Sequence, residues 1–144
     1  MEQVAGTIEE LENRAAEFVR GLRPHPGQAT LVTLSGELGA GKTAFVKAAA
    51  KALGVEGELT SPTFVIQKSY SLAGQPFKTL IHIDAYRLKS GAELTPLHFD
   101  ETLKQADNLI MLEWPEMVED VLGSADAHLT LTVNPDGSRA LTYA

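Results

Sequence analysis

Apolar residues along this chain change their spacing several times, and each change of period marks an element. Ile8, Leu11, Ala15, Phe18 and Leu22 recur at helical spacing, with glutamates and arginines between them turned to water. In front of them, Thr7-Ile8-Glu9-Glu10 has the spacing of a capping box, in which Thr7 and Glu10 satisfy each other's free backbone donors. Arg23-Pro24-His25-Pro26-Gly27 stops the helix. The short apolar run Thr30-Leu31-Val32-Thr33-Leu34 reads as a buried strand, and a second helix is predicted over 43–53, with Gly54 placed as its left-handed cap. Residues 56–62 read as a loop, and 64–71 alternates in the manner of a strand. The turn Leu72-Ala73-Gly74-Gln75-Pro76 then leads to a strand over 78–84. So short a connection permits an antiparallel hairpin and no parallel crossover, which makes the sheet mixed.

Gly91 and Pro96 interrupt 90–105 and leave a helix only over about 100–105. Residues 108–113 form a further buried strand. Pro115 suits the first turn of a helix whose apolar face is Met117, Val118, Val121 and Leu122 and whose end is Gly123. The strands 128–133 and 138–143, joined by Asn134-Pro135-Asp136-Gly137, read as an antiparallel pair closing the sheet. Strand–loop–helix units with hairpins make an α/β protein. No repeat, linker or low-complexity segment divides it, so 1–144 reads as a single domain.

Composition narrows the function. With 44% hydrophobic residues the chain can bury one core, and with no cysteine it has no disulfide, thiolate zinc site or Cys nucleophile. The longest apolar stretches are short, as in Leu109-Ile110-Met111-Leu112, and the N-terminus has no signal pattern, so a cytoplasmic protein without a membrane partner is expected. A net charge of −7 argues against gripping DNA or RNA unaided. The excess lies in the C-terminal half, whereas Lys42, Lys47 and Lys51 outweigh Glu37 in the segment 36–51.

That basic segment holds the candidate chemistry. Gly36-Glu37-Leu38-Gly39-Ala40-Gly41-Lys42-Thr43 matches the phosphate-binding pattern G-x-x-x-x-G-K-[ST], between a predicted strand and a predicted helix. Its glycines let consecutive N–H groups turn toward phosphate, Lys42 brings a cation to the β- and γ-phosphates, and Thr43 offers a hydroxyl to Mg²⁺. The helix N-terminus adds the positive end of its dipole. Hydrolysis needs an acid near the metal and a group that orients the attacking water. Asp84 and Glu113 each end an apolar strand run, and parallel strands bring their carboxyl ends to one edge. Whether Glu113 ligates metal or orients water stays open at this point. Ser61-Pro62-Thr63-Phe64 lies where switch segments contact the γ-phosphate. Arg87 suits either transition-state charge or a surface ion pair, His82 reads as a packed strand residue, and Trp114 reads as core or nucleotide edge.

Four segments, the loop 36–43, Thr60-Ser61-Pro62-Thr63-Phe64, His82-Ile83-Asp84-Ala85-Tyr86-Arg87-Leu88 and Glu113-Trp114-Pro115, together resemble the TsaE (YjeE) family. This is the small bacterial ATPase of threonylcarbamoyladenosine (t6A) modification of tRNA. The resemblance implies a P-loop NTPase-like three-layer α/β fold with a mixed, mostly parallel central sheet and an antiparallel hairpin. It implies ATP and Mg²⁺ as cofactors, with the loop, Thr63 and Trp114 at the nucleotide, Thr43, Asp84 and Glu113 at the metal, and Lys42, Asp84 and Glu113 in catalysis. Its partners would be TsaB and TsaD, with tRNA reached through their complex. The chain departs from the family pattern where His98 stands near a usual glycine and Thr102 replaces an aromatic residue, so no role is carried to Asp100 or Glu101. The alternatives are a small-molecule kinase with the same loop and a nucleotide-gated binding protein. A guanine-specific form is disfavoured by the lack of an N-K-x-D run.

Overall fold

The computed structural model describes residues 2–56 and 66–144. In chain order these form β1 (Glu2–Ala5), α1 (Ile8–Arg20), β2 (Thr30–Ser35), α2 (Lys42–Ala52), β3 (Gln67–Ser71), β4 (Thr79–Asp84), α3 (Phe99–Leu103), β5 (Asn108–Glu113), β6 (Ala127–Val133) and β7 (Arg139–Tyr143). Short 3₁₀ segments cover Gly91–Leu97 and Pro115–Met117. The strands join in one sheet of order β1-β7-β6-β2-β5-β4-β3. Strand β2 is parallel to β5 and β6, β5 is parallel to β4, and the pairs β3/β4, β6/β7 and β1/β7 are antiparallel.

Pleat and burial explain the layers. Alternate residues of a strand point to opposite faces, and the central strands are covered on both, so they read as nearly continuous apolar runs. Leu34, Leu80, Leu109, Met111 and Leu129 pack under α1 and α2 with Phe45 and Val46. Leu31, Ile81, Ile83, Ile110 and Leu112 face the other way, onto Leu94 and Phe99 of the short helical segments and Val118 just after the last of them. The result is a three-layer α/β fold with a mostly parallel core. No helix among the described residues is long and apolar enough to cross a membrane.

Several expectations shift by a turn or a strand. Helix α1 begins at its predicted cap, where Thr7 Oγ1 accepts the Glu10 N–H at 3.1 Å, but the Glu10 carboxylate reaches back to the N–H of Gly6 at 2.9 Å rather than to that of Thr7. The fully buried line of α1 is Leu11, Ala15 and Val19, and Ile8, assigned to the apolar stripe from spacing alone, is 62% exposed. The helix predicted after Pro115 shrinks to a 3₁₀ turn. Asp120 accepts the Gly91 N–H at 2.8 Å, a contact with another part of the chain that ties the segment to the neighbouring 3₁₀ stretch. The final hairpin does not end the sheet. The unpredicted β1 pairs outside β7, in the register Glu2↔Thr142 to Ala5↔Arg139.

Candidate functional site

The loop between β2 and α2 is bent by glycines in backbone conformations that side chains rarely adopt. Gly36 has φ +145°, and a Cβ there would stand 2.3 Å from the Leu131 carbonyl oxygen on β6, while Gly41, which caps α2, has φ +103°. Helix α2 therefore starts at Lys42 and points its positive end into the loop. Lys42 is only 4% exposed. Its ammonium donates to the carbonyls of Gly36 and, at 2.9 Å, Glu37, and it lies 4.2 Å from the centre of the Trp114 ring. An ammonium has three N–H groups, so one remains for an anion. Burial pushes the Lys42 pKa below its usual 10.5, opposed by the charges of Glu113, Glu116 and Asp84.

The acids arrive by strand register. Leu34 on β2 pairs with Glu113 on β5, and Glu113 pairs with Asp84 on β4, so three strand ends meet at the edge that holds the loop. The Glu113 carboxylate is 2% exposed and shares the Thr43 hydroxyl proton between Oε1 at 2.9 Å and Oε2 at 3.0 Å. Its Oε2 also lies 2.5 Å from Nε2 of His82, which is equally buried. Asp84 Oδ1 accepts the Tyr86 N–H at 3.0 Å. Burial raises the Asp84 pKa above 3.8; the Tyr86 N–H opposes this, Glu113 adds to it, and His82 and Lys42 oppose it.

Trp114 leaves β5 in the left-handed region at φ +62°, its N–H on the Leu34 carbonyl at 3.1 Å, and its ring packs at 4.9 Å and 47° against Tyr86. Left-handed backbone is costly for a large side chain and persists where surrounding contacts fix it. Here the strand pairing on one side and Lys42 and Tyr86 on the other hold the indole over the loop.

Lys42, Thr43, Asp84, Glu113 and Trp114 thus line one cavity of about 730 Å³, and Arg87 lines it too. Gly36, Glu37, Leu38, Gly39 and Ala40 form the approach to it, with Leu38 exposed at the crest and Ala40 buried beneath. Thr63, and Ser61-Pro62-Thr63-Phe64 as a whole, lie outside the described residues. One contact and one residue escaped the sequence reading: His82, read as a packed strand residue, is buried as expected but also meets Glu113, and Arg139 was not singled out. His82 sits two positions before Asp84, which by strand alternation puts it on the same face, and that signal was available. Arg139, on the first position of β7, reaches the carbonyl of Gly39, 100 residues away in the sequence, and no local pattern marks it.

The donors fit Mg²⁺. Thr43, Asp84 and Glu113 offer hard oxygen ligands, and no group of three or more His, Cys, Asp or Glu side chains suited to a metal occurs among the described residues. A cation there must take further ligands from water and phosphate, the usual manner of Mg²⁺.

A glycine-bent loop between a buried central strand and a helix, with acidic strand ends on the same edge, defines a P-loop α/β protein. The chain belongs to the TsaE family: the model for "Threonylcarbamoyl adenosine biosynthesis protein TsaE" matches residues 6–141. It is 43% identical over 111 residues to the tRNA threonylcarbamoyladenosine biosynthesis protein TsaE of Streptomyces coelicolor, covering 76% of this chain and 68% of that one. To the protein of the same name from Bacillus subtilis it is 31% identical over 137 residues, 95% of this chain and 82% of the relative. The crystal structure of Bacillus subtilis YdiB superposes with a TM-score of 0.77 at 26% identity, covering 99% of this chain and 83% of that one.

Proposed function

We propose that this chain is a Mg²⁺-dependent ATPase that supports t6A modification of tRNA together with TsaB and TsaD. The carrying observation is the connected set Thr43–Glu113–His82 beside the phosphate loop. In this reading the loop N–H groups and Lys42 hold the polyphosphate, and Thr43, Asp84 and Glu113 hold Mg²⁺, which when bound neutralises phosphate charge. Glu113 orients the attacking water or the metal, and His82 fixes the carboxylate by donating from Nε2, so the oxygen facing the nucleotide keeps one direction. Trp114 covers the nucleotide edge. That the strands of the described residues all join one sheet supports reading 1–144 as a single ATPase domain. The net acidic surface suits a protein that meets tRNA through a protein complex rather than by its own charge.

The test measures ATP turnover and nucleotide affinity, alone and with TsaB and TsaD. Turnover is expected to be slow alone and to rise with the partners. Lys42→Ala weakens binding, whereas Glu113→Ala lowers turnover by about 10²-fold or more with binding largely spared. If TsaB and TsaD neither bind the chain nor require it for t6A formation, the reading fails; equal loss of binding and turnover in Glu113→Ala would make Glu113 structural.

A further inference from the structure

Strands β5 and β4 carry the acids on one side of β2, while β6 and β7 lie on the other. The cavity that holds Lys42, Thr43 and the acids also reaches Gly39, Gly41 and Arg139 on the β6–β7 side, where no carboxylate among the described residues lines it to repel a phosphate chain. The Arg139 guanidinium donates to the Gly39 carbonyl of the loop at 3.3 Å and to the Gly137 carbonyl of the hairpin turn at 2.6 Å. Its Nε lies 3.8 Å from where a Cβ on Gly41 would stand, and it lines the same cavity as Lys42 and Glu113.

No carboxylate lies within salt-bridge distance of Arg139 among the described residues. Asp136, the acid of its own turn, accepts instead from the Ser138 N–H at 2.9 Å and the Ser138 hydroxyl at 2.6 Å. Arg139 is partly buried, and in a protein of net charge −7 its hydrogen-bond acceptors are two neutral carbonyls, although a guanidinium is suited to phosphate. A guanidinium has five N–H donors, so two carbonyls leave three for a ligand. We infer that Arg139 binds the nucleotide's phosphate chain at its nucleoside end, a second cation facing Lys42 across the loop.

This inference rests on the ATP-binding reading above. It is tested by titration calorimetry of the full chain with MgATP and with ADP at low and high salt, comparing wild type, Arg139→Lys, Arg139→Gln and Lys42→Ala. Gln can keep a hydrogen bond to Gly39 without charge, and Lys keeps the charge without the fork. The expected result is that Arg139→Gln weakens both nucleotides about tenfold and flattens the salt dependence of affinity, while Arg139→Lys retains most of it. Wild-type affinity in Arg139→Gln, with Lys42→Ala impaired, overturns this contact and leaves the ATPase reading standing. Equal losses in the Lys and Gln variants with an unchanged salt dependence also overturn it, since Arg139 then only holds the loop. A wild-type chain that binds neither nucleotide overturns both.

Discussion

Asp84 shows at the scale of a residue what the site costs the fold. Burial raises its pKa, so the folded state holds the proton more tightly than the unfolded state. The stability this contributes is complete below the unfolded pKa and is lost as pH rises through the folded one. At neutral pH the ionised carboxylate therefore weighs against folding. Asp84→Asn is expected to raise the melting temperature at pH 7 by about 2 °C, the shift that a fraction of a kcal/mol gives a chain of this length, and the gain should shrink as pH falls toward the ordinary carboxyl range. Thermal melts across pH check this; an unchanged or lower melting temperature at pH 7 would refute it. Lys42 follows the same logic with the opposite charge, since burial lowers its pKa. His98 has left-handed backbone at φ +58°, a region that histidine enters more readily than most side chains.

At the scale of elements, what was readable is what is decided locally. Helix α2 ends as its sequence indicates. Gly54 takes φ +92°, its N–H reaches the Lys51 carbonyl at 3.0 Å, and the Val55 N–H reaches the Ala50 carbonyl at 3.1 Å, the paired bonds of a Schellman cap. A Cβ on Gly54 would meet nothing within 4 Å, so Gly54→Ala carries only the left-handed penalty. A loss of about 1 kcal/mol is expected in denaturant unfolding, and a loss near zero would mean that the helix end relaxes. The β3/β4 hairpin was legible for the same reason, because a short turn admits one topology. The segment after Pro115 was not, because its conformation depends on Asp120 meeting Gly91 from another part of the chain. The Glu113–His82 contact likewise joins residues of different strands, and spacing within either strand leaves the other unseen.

Across the whole molecule, β1 is the element that composition hid. Glu2-Gln3-Val4-Ala5 is short and half polar, yet it covers the outer edge of β7, buries Ala5, and sets the Gln3 side-chain oxygen to accept the Tyr143 hydroxyl at 2.9 Å. Removing residues 1–5 would expose the backbone donors and acceptors of β7, and an unpaired edge is a template for association. Such a truncation is expected to lower the melting temperature and to promote self-association, read by light scattering. A monomeric truncation of unchanged stability would make β1 dispensable. Because β7 opens with Arg139, which touches the loop, the same truncation should also weaken nucleotide binding.

The sequence by itself determined the elements whose signals are local: the capped helix α1, the strand–loop–helix with its two motif glycines, the hairpins, the buried central strands, and the acidic residues that end two of them. Tertiary structure alone decided which of these meet. Strand order and register brought Glu113 between Thr43 and His82, set Trp114 over Lys42, and delivered Arg139 to the opposite wall of the loop. The reason is physical: backbone propensity and capping act over a few residues, whereas a site is assembled by pairings between strands whose partners no local pattern encodes.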